Sequence, residues 1–130
     1  LLDCCEGKGY AQFSFVDAEL PDLYAAADVM ISRAGATAVF EILALAMPAL
    51  LVPLPKASSR GDQLLNAAHF EEKGFSLVLQ QEELTPEAIV GAAEKLYARR
   101  EALRGAMRRE AIGDAAERVA EIVAQAAKRA

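Results

Sequence analysis

Glu41 is the only charged residue between Ala34 and Pro55, and it follows a cluster of small residues in the stretch Ser32-Arg33-Ala34-Gly35-Ala36-Thr37-Ala38-Val39-Phe40-Glu41. The stretch reads as a strand end, a turn over Arg33–Ala36 and a helix start. Small side chains let a bulky group approach the backbone, and free N–H groups at a helix start favour phosphate. Glu41 lies about a turn and a half into that helix. Burying an isolated carboxylate is costly unless it is hydrogen-bonded. From the residues alone two roles are open: accepting hydrogen bonds from a ribose diol beside a phosphate site, or a structural one, pairing with Arg33 or facing water at a helix edge.

A second stretch, Pro53–Asn66, carries a Ser/Gly loop and then the polar helix start Asp62-Gln63. Polar side chains there suit sugar hydroxyls. The alternative is an ordinary loop with Asp62 as a helix N-cap. His69, the one histidine, sits mid-helix without a cysteine or second histidine to form a triad or metal site, and reads as an ordinary surface or boundary residue. Arg99, Arg100, Arg104, Arg108 and Arg109, interleaved with Glu101 and Glu110, read as a solvated helix face. The sequence holds no nucleophile elbow, Walker loop, GxGxxG or Asp-x-Asp motif.

The elements that position these residues alternate. Tyr10–Val16 alternates apolar and polar residues and reads as a strand. Leu20–Ala27 reads as a short helix, Asp28–Ser32 as a strand, Thr37–Met47 as a helix ended by Pro48, and Ala49–Leu54 as a strand covered on both faces. Pro55–Gly61 reads as a loop. A helix follows from an Asp62 cap to about Lys73, with Gly74 as its stop, and Phe75–Leu79 is a strand. Thr85-Pro86-Glu87 opens a helix to about Arg99, and residues 101–112 and 114–128 read as two more. The order βαβαβαβα plus helices predicts an α/β, Rossmann-like parallel sheet with flanking helices. Ligands then bind in the loops after Val16, Ser32, Leu54 and Leu79.

Composition bounds the rest. The 130 residues suit one domain, 54% are hydrophobic, and the net charge is −5, which argues against nucleic acid as a partner. No apolar run approaches the roughly 18 residues of a membrane-spanning helix. The N-terminus lacks the features of a signal peptide. Cys4 and Cys5 are adjacent and read as reduced thiols, in line with a cytosolic protein. The absence of an initiator methionine suggests a fragment.

Together, "ADVMISRAGATAVFE", "PALLVPLP", "DQLLNA" and "DAAERVAEIV" resemble the C-terminal, donor-binding half of the MurG family of bacterial UDP-N-acetylglucosamine transferases, across roughly residues 10–128. The resemblance implies a GT-B fold of two Rossmann-like domains. Residues 1–130 would be a partial UDP-sugar-binding domain, truncated at its N-terminus. It implies that Val16 touches uracil through its backbone and that Gly35, Ala36 and Thr37 cradle the diphosphate beside Arg33. Glu41 would bind the ribose hydroxyls, and Asp62 and Gln63 the N-acetylglucosamine hydroxyls, with Asn66 completing the motif. The family often has two glutamines where this chain has Asp62-Gln63.

The implied activity is inverting transfer from UDP-N-acetylglucosamine to lipid I, forming lipid II of peptidoglycan, with no cofactor or metal. The implied location is cytoplasmic, at the inner face of the plasma membrane, with peripheral membrane contact in the full enzyme. The acceptor-binding N-terminal domain and the catalytic base are missing from this chain, which is expected to be inactive alone. The alternative is a stand-alone nucleotide-sugar binding module that needs a separate acceptor-domain partner chain. A sheet edge left unpaired by truncation favours self-association or such a partner.

Overall fold

A computed structural model describes residues 9–129, and of residues 111–118 and 129 the backbone alone. Cys4 and Cys5 lie outside the described residues. In chain order the elements are α1 (Leu20–Ala26), β1 (Met30–Ser32), α2 (Ala36–Leu45), β2 (Ala49–Leu51), α3 (Lys56–Ser59), α4 (Asp62–Glu72), β3 (Ser76–Val78), a 3₁₀ turn (Gln81–Glu83) and α5 (Pro86–Arg129). The strands form one parallel sheet in the order β1-β2-β3. Ile31 pairs with Leu50, and Leu50 with Leu77. Helices carry both crossovers, as parallel pairing requires.

The central strand decides the layering. Successive side chains of a strand point to opposite faces. Ala49 and Leu51 accordingly pack with Val39, Ile42, Ala67 and Phe70, from α2 and α4. Leu50 and Val52 pack with Leu96 and Leu103 of α5. The expectation that this apolar run is covered on both faces is met. Its ladder is shorter than the expected Ala49–Leu54, because Pro53 has no N–H to donate. The last bond on that side runs from the Val52 N–H to the Ser32 carbonyl at 2.8 Å.

Other expectations need correction. Tyr10–Val16 is not a strand: Tyr10 makes an isolated bridge and residues 11–16 carry no ladder. Its alternation is real, but Phe13 and Phe15 are 57% and 80% exposed, and no described strand lies beside it. A strand exists only through a neighbour's hydrogen bonds. The expected loop Pro55–Gly61 contains the single turn α3, closed by the Ser59 and Arg60 N–H groups on the Pro55 and Lys56 carbonyls at 3.2 and 3.0 Å. The cap of α4 is Gly61 at φ 88°, and Asp62 is the first helical residue, where its charge complements the helix dipole. The three helices expected after Thr85 are one 44-residue helix, α5. Isolated glycines do not break so Ala-, Glu- and Arg-rich a run, and no proline follows Pro86.

Two helix ends show why the chain turns where it does. After α4, the Gly74 N–H bonds the Glu71 carbonyl at 3.1 Å and the Phe75 N–H bonds the Phe70 carbonyl at 2.9 Å, with Gly74 at φ 75°. Phe70 and Phe75 then meet edge-to-face at 5.3 Å, the apolar contact that closes a Schellman turn. The end of α2 repeats the pattern around Ala46, at φ 48°. Helix α2 therefore stops short of the expected Met47. At the start of α5, the Thr85 hydroxyl accepts from the Ala88 N–H at 3.0 Å, the expected cap.

Candidate functional site

The C-terminal ends of the three parallel strands open on one side of the sheet, and Arg33, Ala34 and Gly35 lead from β1 into α2. Gly35 caps α2 with φ −66° and ψ 157°, and no side chain caps the helix. The first N–H to join the helix ladder across this cap is that of Val39, which bonds the Gly35 carbonyl at 3.0 Å. The first-turn N–H groups are thus left without a side-chain partner, on exposed Ala36 and Thr37. This is the geometry that attracts an anion.

Helix α4 fixes the turn from below. The Gln63 Oε1 atom accepts from the Ala34 N–H at 3.3 Å and from the Leu54 N–H at 2.9 Å. The Asn66 Nδ2 atom donates to the Ala34 carbonyl at 2.9 Å. Ala34 is 0% exposed, so two side chains of one helix satisfy both polar groups of a buried residue. A Cβ added to Gly35 would lie 3.7 Å from Gln63 Nε2, an ordinary contact, and its φ suits any residue. Neither backbone nor packing within the chain demands glycine here. What glycine leaves is clearance at the mouth of α2.

Glu41 is half-buried on α2 and faces α1. The Tyr24 hydroxyl donates to its Oε2 at 3.0 Å. Burial, and then the hydrogen bond and negative charge of Glu41, push the Tyr24 hydroxyl above its ordinary 10.0. Arg33 does not pair with Glu41. Its Nη1 donates to the Val52 carbonyl at 3.2 Å and to Gln81 Oε1 at 2.6 Å, which holds the guanidinium across the strand ends. Glu41 and Tyr24 also line a cleft of about 790 Å³ bounded by Leu45, Arg104 and Arg108.

The structure therefore gathers Gly35, Ala36, Thr37, Gln63 and Asn66 around the start of α2, with Arg33 on the same rim. Asp62 is exposed on the first turn of α4. Val16 is half-buried just before α1, and its backbone makes no hydrogen bond among the described residues. His69 is exposed. The arginine face of α5 is largely solvated: Arg100 stacks on Tyr97 at 3.8 Å, and Arg104 pairs with Glu101. Sequence reasoning missed Tyr24 and Gln81. Both are polar residues whose partners lie far along the chain, and neither stands in a local motif. Among the described residues, no group of three or more His, Cys, Asp or Glu is placed to hold a metal ion, and no helix is long and apolar enough to cross a membrane.

The family model of the glycosyltransferase family 28 C-terminal domain matches residues 3–126. The chain belongs to this family. Among similar proteins is a UDP-N-acetylglucosamine–N-acetylmuramyl-(pentapeptide) pyrophosphoryl-undecaprenol N-acetylglucosamine transferase of Clostridium botulinum. It is 47% identical over 116 residues, which is 89% of this chain and 33% of that protein. A protein of the same name from Geobacillus thermodenitrificans is 57% identical over 90 residues, 69% of this chain and 25% of that protein. The crystal structure of Acinetobacter baumannii MurG superposes with a TM-score of 0.59 at 30% identity, over 71% of this chain and 26% of that one. The α/β fold is thus that of the C-terminal half of a GT-B glycosyltransferase, as the motifs led one to expect. The chain spans about a third of the length of the curated relatives it matches.

Proposed function

We propose that this family 28 domain is the donor-binding part of an inverting N-acetylglucosaminyltransferase that uses UDP-N-acetylglucosamine. The observation that carries the reading is the uncapped start of α2, held by α4 and kept clear by Gly35, with Glu41 on the same helix. In this reading the diphosphate lies on the N–H groups of Ala36 and Thr37, next to the Arg33 charge. Uracil meets the backbone at Val16, and the ribose diol bonds Glu41. The free Nε2 of Gln63 and the carboxylate of Asp62 meet the sugar hydroxyls. As the glycosidic bond breaks, negative charge grows on the departing diphosphate, and fixed helix N–H groups stabilise it without rearrangement.

The acceptor is lipid I and the product lipid II of peptidoglycan, as the names of the relatives suggest. A separate acceptor domain or partner chain supplies the base, because transfer needs one within hydrogen-bond reach of the acceptor hydroxyl. The full enzyme works at the inner face of the plasma membrane as a peripheral protein.

The test is calorimetric titration of UDP-N-acetylglucosamine into wild type and Glu41→Ala. Loss of charge-assisted hydrogen bonds costs about 1.5–3 kcal/mol, or roughly 10- to 150-fold in affinity. Folding loses only the Tyr24 hydrogen bond, about 0.5–1.5 kcal/mol, and Arg33 keeps its own partners. Unchanged affinity would remove Glu41 from the site.

A further inference from the structure

Tyr24 and Glu41 come from different helices, and their hydrogen bond of 3.0 Å joins α1 to α2. Helix α1 has no buried residue, so the phenol is not placed there by a surrounding core. An ionised carboxylate offers about four acceptor positions over its two oxygens. Tyr24 takes one of them, on Oε2. Oε1 has no partner among the described residues, and the remaining positions suffice for two hydroxyls. A glutamate has three rotatable bonds, and holding it in one geometry before a ligand arrives removes part of the ordering cost of binding.

We propose that Tyr24 is a positioning residue for Glu41: its hydroxyl fixes the carboxylate so that the free oxygen meets the ribose diol of the donor. The inference rests on the ribose role of Glu41 given above. The geometry supports it: the phenol, a donor at neutral pH, reaches the carboxylate from a different helix and leaves Oε1 unbonded among the described residues. The opposing reading is that the bond only ties α1 onto α2. A tie of that kind would help every ligand of the folded chain equally, whereas a positioning role acts only on ligands that carry the diol.

The experiment compares UDP with 2′,3′-dideoxyuridine diphosphate on the 130-residue wild-type chain, Tyr24→Phe and Glu41→Ala. Phenylalanine keeps the ring and removes only the donor. Any unfolded fraction raises both apparent dissociation constants by the same factor and cancels in their ratio. The expected result is a wild-type preference for UDP that falls about 2- to 10-fold in Tyr24→Phe and vanishes in Glu41→Ala. If Glu41→Ala loses the preference while Tyr24→Phe keeps it in full, the positioning role is overturned and the ribose role stands. If Glu41→Ala keeps the preference, the ribose role is overturned and the inference goes with it.

Discussion

The side-chain amide of Asn66 donates to the carbonyl of Ala34 at 2.9 Å, and so couples the helix bearing Asp62 and Gln63 to the turn that starts α2. Gln63 completes the grip by accepting from the Ala34 N–H at 3.3 Å. The two amides thus hold the turn that leads into α2.

Asn66→Ala should leave a buried carbonyl unpaired and destabilise the fold by about 1–3 kcal/mol. The displaced turn should weaken UDP and UDP-N-acetylglucosamine by similar factors. Urea denaturation together with both titrations checks this. Gln63→Ala should also weaken UDP, because it frees two backbone N–H groups, with a further loss for the sugar nucleotide alone. An Asn66 variant that loses only the sugar nucleotide would show a direct sugar contact instead.

Gly35→Ala should fold almost normally. Its φ is −66°, and the nearest atom to the new methyl is 3.7 Å away. Alanine is a poorer N-cap than glycine, by about 1 kcal/mol or less. Affinity for UDP should fall well beyond that small stability change, because the methyl occupies the mouth of α2. Equal affinity in the variant would mean that no ligand group approaches this backbone.

Gly74→Ala tests the end of α4. An added Cβ meets nothing within 4 Å, so the whole cost comes from the φ of +75°. The expected loss is about 1 kcal/mol, or roughly 3–5 °C in Tm. Thermal unfolding followed by circular dichroism gives the answer, and a neutral result would show that the turn relaxes.

Tyr24 should make stability fall in strong alkali. Its folded pKa lies above the unfolded 10.0, so the folded state holds the phenolic proton more tightly. The resulting stabilisation is complete below pH 10.0 and is lost as pH rises through the raised value. The useful quantity is the difference between wild type and Tyr24→Phe. That difference should hold up to about pH 9 and shrink as pH rises through 10.0 and the raised value, read by urea denaturation. A constant difference would mean that the hydroxyl titrates as in the unfolded chain.

Local signals reached far along this chain. The apolar run after Pro48 is a strand buried on both faces because its composition admits nothing else, and its prolines limit the ladder. Thr85, Pro86 and Gly74 mark helix ends because capping and left-handed turns depend on one residue and its near neighbours. The small residues at Gly35–Thr37 indicate the uncapped helix start for the same reason.

Partners chosen across the chain were not legible in this way. The residues of Tyr10–Val16 alternate like a strand, yet pairing needs a neighbour, and none of the described strands supplies it. Sequence spacing left Arg33 as a partner for Glu41; the crossover instead carries Arg33 to Val52 and Gln81 and brings Tyr24 to the carboxylate. Asn66 entered as part of a motif; only the tertiary structure shows that one of its amide N–H groups reaches the Ala34 carbonyl, 32 residues away along the chain. Residue type and spacing fix which groups are available. Which of them meet depends on how the crossovers bring distant segments together.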